Sequence, residues 1–503
     1  MPAKTIMVQG TASSVGKSIL VAALCRILRQ DGYRVAPFKS QNMALNSFAT
    51  ANGREMGRAQ VVQAYAAGLD PQVEMNPILL KPEGNSRSQV IIMGRPIGSM
   101  SAREYYQMKP ELWPVVEQAL DHLKARYEVI VIEGAGSPAE INLRDSDIVN
   151  MKVAQLAKAP VLLVGDIDRG GVFASLVGTM ELLFPDERQL VKGMIINKFR
   201  GDISLLTPGL GFLEERTGVP VLGVVPYLQD MRLPEEDSVA LEYRRGQERR
   251  PGPIKVSVIR LPHISNFDDF DPFDQIDGVS LTYVSDPQGL EGSDLIVIPG
   301  TKSTVDDLLY IKERGLVATI KQAAASGTPV FGICGGYQML GTKLRDPDHI
   351  ESMHEEMDGL GLLPVETTFL PSKITVQVAG TVKSSAGVLS GASGSPITGY
   401  EIHCGISKTD GLASAFQIDQ RGGVTTRDYD GVVAGEGTII GTYIHGLFHN
   451  KELFRSLLSY LEKRKGVTLN NVGDEPEDPF DRLADAVRGS IDMARLYNII
   501  GLI

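Results

Sequence analysis

The sequence predicts an α/β protein of two domains, the first a doubly wound parallel sheet with a phosphate loop, the second another parallel sheet with a cysteine at a strand-to-helix turn. Three observations predict it. Short apolar strands alternate with helical stretches of roughly 10–15 residues from Thr5 to Pro226. The stretch Gly10-Thr-Ala-Ser-Ser-Val-Gly16-Lys17-Ser18 stands between an apolar strand and an amphipathic helix, where a loop cradling phosphates has to stand. Far downstream, Val330-Phe-Gly-Ile-Cys334-Gly-Gly sets one cysteine between an apolar run and two glycines, the pattern of a nucleophile elbow.

At 503 residues and 43% hydrophobic the chain is too long for one core. A net charge of −11 and a pI near 5.3 leave no basic face for nucleic acid, so no nucleic-acid partner is expected. Three distant cysteines, Cys25, Cys334 and Cys404, support neither a disulfide framework nor a zinc cluster, and they suit a reducing compartment. The start Met1-Pro-Ala-Lys lacks a signal-peptide pattern, and no apolar run approaches the roughly 18 residues of a membrane helix. A cytoplasmic protein without a membrane partner is expected.

In chain order, Thr5–Gln9 is a buried strand and residues 19–30 a helix. Between them Gly10 and Gly16 let backbone N–H groups point at phosphates, Lys17 reaches the β/γ oxygens, and Ser18 offers a hydroxyl to Mg²⁺. The loop has one residue more than the usual spacing, and ATP is the default nucleotide. The second strand delivers Lys39-Ser-Gln-Asn-Met43 to the carboxyl end of the sheet, where ligands bind in such folds, although a lysine there can equally be an exposed surface residue. The polar stretch Gly53–Gln60 contains Glu55, a further candidate ligand for the metal, and with Met75–Pro82 it reads either as a substrate wall or as solvated loops. The strand after Tyr127 ends in Glu133, a carboxylate placed to take a nucleotide-bound Mg²⁺. Two further strands end at Asp166 and Asn197, and Asn197 could meet a base edge. The first domain thus runs over 1–232.

Residues 233–253, charged and rich in Pro and Gly, read as a linker to a second domain over 254–503. There a strand ends in Pro-Gly300-Thr, a turn that can supply an oxyanion donor beside the N–H of Gly335. A helix N-terminus after Cys334 favours the thiolate. Turn-rich residues 342–440 suggest an antiparallel layer leading to Tyr443-Ile-His445, whose imidazole is the candidate base for the thiol, with His403 and His449 as competitors. Residues 481–496 read as a docked helix, and Cys404 as a packing residue.

With these motifs in place, Gly332-Ile-Cys334-Gly-Gly-Tyr-Gln with Tyr443-Ile-His445-Gly resembles a triad-type glutamine amidotransferase domain, and the long phosphate loop with Glu133-Gly-Ala-Gly resembles dethiobiotin synthetase. Their pairing, with Pro37-Phe-Lys-Ser-Gln-Asn-Met, Met75-Asn-Pro-Ile-Leu-Leu-Lys-Pro, Ile264-Ser-Asn-Phe-Asp-Asp-Phe-Asp and Gly399-Tyr-Glu-Ile-His, resembles the cobyric acid synthase family of cobalamin-pathway amidotransferases over nearly the whole chain. The resemblance implies ATP- and glutamine-dependent amidation of the b, d, e and g carboxylates of a corrinoid, adenosylcobyrinic acid a,c-diamide. It leaves as alternatives the sister family that amidates cobyrinic acid at a and c, and a non-catalytic nucleotide switch. One departure stands out: amidotransferases usually carry a Glu two residues after the His, and here that position is Leu447. A Cys334–His445 dyad is therefore expected.

Overall fold

A computed structural model describes residues 2–83, 86–228, 252–409, 411–469 and 478–503. They form two compact units: one from residues 2–44, 56–228 and 478–503, the other from 45–55 and 252–469.

The first unit is built on a six-stranded parallel sheet in the order Val221–Pro226, Val191–Phe199, Val161–Asp166, Lys4–Gly10, Val129–Glu133, Val35–Phe38. The first strand lies inside the sheet because the chain winds outward from it in both directions. That reversal opens a crevice at the carboxyl ends, where the phosphate loop emerges. Most of these strands read as unbroken apolar runs, since both faces are covered. The helix Lys17–Gln30 buries Leu20, Leu24 and Leu28 on the sheet. A smaller four-stranded sheet, Gln41–Met43, Ile78–Glu83, Arg87–Ile92 and Arg95–Ser101, adjoins it in sequence.

The end of the chain departs from the expected boundaries. The helices Pro479–Arg488 and Met493–Ile500 put Leu483, Val487, Leu496 and Ile500, with Ile491 between them, into the core of the first unit. Arg26 binds Asp478 and Asp481, and Arg488 binds Asp31. The span 254–503 is therefore divided between the units, because the apolar face of these helices finds its partner on Lys17–Gln30. Conversely, residues 45–55 join the second unit: Asn46 accepts from the Asn266 N–H at 2.7 Å, and Gln377 donates to the Ala49 carbonyl at 3.1 Å. Of the expected linker 233–253, all but Gly252 and Pro253 lies outside the described residues.

The second unit has an eleven-stranded sheet whose first half is parallel: Val279–Val284, Ile254–Ile259, Leu295–Ile298, Val330–Ile333 and Ile439–Thr442. Antiparallel strands Val424–Ala434, Ser414–Arg421, Glu366–Val382 and Pro396–Lys408 extend it, as the turn-rich sequence suggested. Phe273, Phe331, Phe448 and Phe454 pack edge to face beside the parallel half, and Phe270 meets Phe448 at a tilt. Among the described residues no helix is long and apolar enough to cross a membrane.

Candidate active sites

In the first unit the loop after Gly10 is tight because its glycines have no room for side chains: a Cβ on Gly10 would meet Val15 at 2.5 Å, and one on Gly16, at φ 99°, would meet Asn197 at 2.2 Å. Lys17 is 7% exposed and donates to the carbonyls of Ala12 and Gly136 at 2.9 and 3.0 Å, so its ammonium is held over the loop. Ser18 donates to Glu133 at 2.9 Å, and Lys39 pairs with the same carboxylate at 2.8 Å. Lys39 is thus a buried partner of Glu133, not a surface lysine. Gln63 donates to the other Glu133 oxygen, a contact that no sequence motif announced.

Glu55 falls in the second unit, where Lys373 pairs with it at 2.6 Å and Ser47 donates to it. One N–H of the Asn197 amide donates to the Val15 carbonyl at 2.8 Å and braces the loop, and the second N–H and the amide oxygen are the groups a base edge would meet. The neighbouring Lys198 ties Asp166 to the Ser14 carbonyl, a second brace missed in the sequence because it depends on φ 61° at that residue. Among the described residues no cluster of three or more His, Cys, Asp or Glu could hold a metal alone. A hydroxyl and a carboxylate beside a phosphate loop do fit a hard cation that takes its other oxygens from phosphates and water.

In the second unit the strand Val330–Ile333 turns at Cys334, φ 52° and ψ −110°, into the short helix Gly335–Leu340. A non-glycine residue rarely adopts this backbone. It is fixed by the Cys334 N–H donating to the Thr442 carbonyl at 2.8 Å and by contact too close for any side chain: a Cβ on Gly336 would lie 1.9 Å from the Ile298 carbonyl oxygen. The Gly300 turn reaches the same place. A Cβ on Gly335 would meet Thr301 at 2.7 Å, and one on Gly300 would meet the His445 ring at 2.8 Å. Gly300, Gly335, Cys334 and His445 are therefore brought together.

His445 is buried, and its Nδ1 bonds Asp269 at 2.7 Å, while the other Asp269 oxygen accepts from the Gly446 N–H at 2.6 Å. Tyr400 stacks on the ring, with centroids 5.3 Å apart. The opposite side of the imidazole lies within hydrogen-bonding reach of Cys334. Burial works against a charge on this ring, but the charge and hydrogen bond of Asp269, joined by Cys334, outweigh it and raise the pKa to about 10. The expected dyad thus gains a third member, and Leu447 packs into the apolar core instead. Asp269 comes from the single turn Phe267–Phe270, anchored by its two phenylalanines. His449 is engaged with the Asp268 carbonyl and His403 with the Gly405 carbonyl.

Each of the two regions resembles a known domain family. Residues 6–240 match the CobQ/CobB/MinD/ParA nucleotide binding domain, and residues 255–453 match the CobB/CobQ-like glutamine amidotransferase domain. A cobyric acid synthase of Moorella thermoacetica is 54% identical over 99% of this chain and 98% of its own. Those of Pelotomaculum thermopropionicum and Sorangium cellulosum are each 53% identical, over 99% and 100% of this chain and 97% and 99% of their own. With two family models in the order of the two sites and relatives matched from end to end, the chain belongs to the cobyric acid synthase family.

Proposed function

We propose that the chain amidates the b, d, e and g carboxylates of adenosylcobyrinic acid a,c-diamide, giving adenosylcobyric acid, with glutamine as nitrogen donor and ATP as activator. The observation that carries this reading is the Cys334–His445–Asp269 arrangement in a chain that also holds the Lys17–Ser18–Glu133 arrangement. Cys334 Sγ attacks the side-chain amide carbon of glutamine, and the oxyanion meets the N–H of Gly335 and the Gly300 turn. His445, charged at neutral pH and oriented by Asp269, gives its proton to the departing ammonia. It then takes one from the water that cleaves the thioester, releasing glutamate.

In the first unit Lys17 and the loop amides hold the phosphates of ATP while a substrate carboxylate takes the γ-phosphoryl group. Ser18 and Glu133 would hold Mg²⁺, which supplies charge neutralisation at the β and γ oxygens. Lys39, paired with the Glu133 carboxylate at 2.8 Å, keeps it aimed. Ammonia then attacks the acyl phosphate and inorganic phosphate leaves, a sequence needed because a free carboxylate is a poor electrophile. Three unbridged cysteines suit a cytoplasmic setting.

The test is to incubate purified protein with ATP, glutamine and either adenosylcobyrinic acid a,c-diamide or cobyrinic acid, and to count converted carboxylates by mass. Conversion of the a,c-diamide at four positions is expected; conversion of cobyrinic acid alone would transfer the reading to the sister activity. Cys334→Ala should lose glutamine-dependent synthesis but keep synthesis from ammonium chloride, more so as pH rises toward the ammonium pKa. Lys17→Ala should lose at least about 100-fold with either nitrogen source. A Cys334→Ala protein that still used glutamine would refute the assignment of the nucleophile.

A further inference from the structure

The strand Pro396–Lys408 passes beneath the nucleophile, and the Ile402 carbonyl lies 3.3 Å from Cys334 Sγ. The residues on either side of Ile402, Glu401 and His403, share one face of that strand, and their side chains are 2% and 5% exposed. Each has a buried polar atom with no hydrogen-bond partner among the described residues: Glu401 Oε1 and His403 Nε2. Their other atoms are committed. Glu401 Oε2 binds the Arg421 guanidinium, and His403 Nδ1 donates to the Gly405 carbonyl at 2.7 Å, so that in the neutral ring Nε2 is an acceptor. The ring cannot turn aside, since it stacks on Tyr443 with centroids 3.8 Å apart. Nε2 and Glu401 Oε2 are 3.6 Å apart, so the two residues do not satisfy each other.

Charge around the pair is also one-sided. Arg421 is shared between Glu401 and Asp428. Asp430 is buried nearby, and burial together with the Glu401 charge pushes its pKa up to about 7. One guanidinium thus faces three carboxyl groups, and a second cation would be welcome.

We infer that Glu401 Oε1 and His403 Nε2 receive the α-ammonium group of glutamine, making them specificity-determining residues of the glutaminase site. This rests on the reading of Cys334 as the nucleophile toward glutamine. In extended glutamine the α-nitrogen lies about 5 Å from the amide carbon. Glu401 and His403 flank the residue whose carbonyl touches the attacking sulfur, so both side chains leave the strand one step, about 3.3 Å, from that contact. An ammonium has only donors to offer, and the two waiting atoms are both acceptors.

The test compares two amides in the full-length protein: glutamine, and 4-carbamoylbutanoate, which is glutamine without its α-ammonium. Ammonia release is measured for the wild type, for Glu401→Gln, which can still accept from Arg421, and for His403→Phe, which keeps the stack but loses the acceptor. For glutamine, kcat/KM should fall about 100-fold in Glu401→Gln, as expected when one partner of a buried charge pair is lost. For 4-carbamoylbutanoate it should fall no more than about threefold, so the preference between the amides collapses. His403→Phe should show the same selectivity with a smaller loss. Proportionate loss on both amides would make these residues mere supports of the Cys334 wall and overturn the inference, as would no loss on either. A wild type that releases ammonia from neither amide would instead refute the glutaminase reading itself.

Discussion

Replacing Asp269 by Asn preserves size and one acceptor but removes the charge that holds a proton on His445. Burial alone would leave that imidazole neutral, so its raised pKa exists only because Asp269 and Cys334 outweigh desolvation. In the native protein, ammonia release should therefore hold to about pH 10 and fall above it, as the imidazolium that protonates the leaving group is lost. In Asp269→Asn the alkaline limb should move toward neutrality, and kcat should drop about 10²–10⁴-fold, as when an orienting carboxylate is lost elsewhere. A pH–rate profile of glutamine hydrolysis checks both; an unmoved limb would mean that Asp269 does not govern the proton. Cys334 and His445 were legible because a reactive residue at the end of an apolar strand leaves a local pattern. Asp269 was not. It lies 176 residues from His445, in a run of acids any of which could have been the partner. Only the fold, through the buried Phe267 and Phe270, aims Asp269 at the ring.

The elbow is a single element whose geometry depends on the absence of side chains at two successive positions. At Gly336 the nearest atoms to an added Cβ are the Ile298 carbonyl oxygen at 1.9 Å, its carbon at 2.6 Å, and the Pro299 oxygen at 2.9 Å, all of them backbone. Backbone in a central parallel strand cannot yield as a side-chain tip would, so Gly336→Ala must displace the helix Gly335–Leu340 at a cost of about 1–3 kcal/mol or more. Because Cys334 caps that helix, the thiol moves with it. The variant should lose glutamine hydrolysis while keeping ammonium-dependent synthesis; retention of both would show that the close approach is not needed. The Gly-Gly pair was readable in advance because only a turn this tight demands it. The phosphate loop was readable likewise. The bracing of that loop by Asn197 and Lys198 was not, since strand-end polar groups look alike whether they face a ligand or a neighbouring carbonyl.

Across the whole molecule the chain does not finish one unit before starting the other. Residues 45–55 leave the first unit for the second, and 478–503 return. An amphipathic pattern in the closing stretch established that a face is buried, but a period of 3.6 residues carries no record of which core covers it. The structure gives that core as the one under Lys17–Gln30, where Leu483, Val487, Ile491, Leu496 and Ile500 pack with Leu20, Leu24 and Leu28. Burial of five such side chains contributes about 1.5–3 kcal/mol each, a sum comparable with the whole net stability of a domain, about 5–15 kcal/mol. Gly223 adds a geometric tie, since a Cβ there would stand 2.0 Å from the Ser490 carbonyl oxygen. Removing residues 478–503 should therefore unfold the nucleotide-binding unit and abolish amide synthesis from either nitrogen source. Hydrolysis of glutamine should survive, because Cys334, His445, Asp269, Glu401 and His403 all belong to the second unit. Calorimetry should show one transition lost or shifted down and the other kept. Loss of hydrolysis alone, with ammonium-dependent synthesis intact, would mean instead that the closing helices serve the amidotransferase unit, as the chain order by itself suggests.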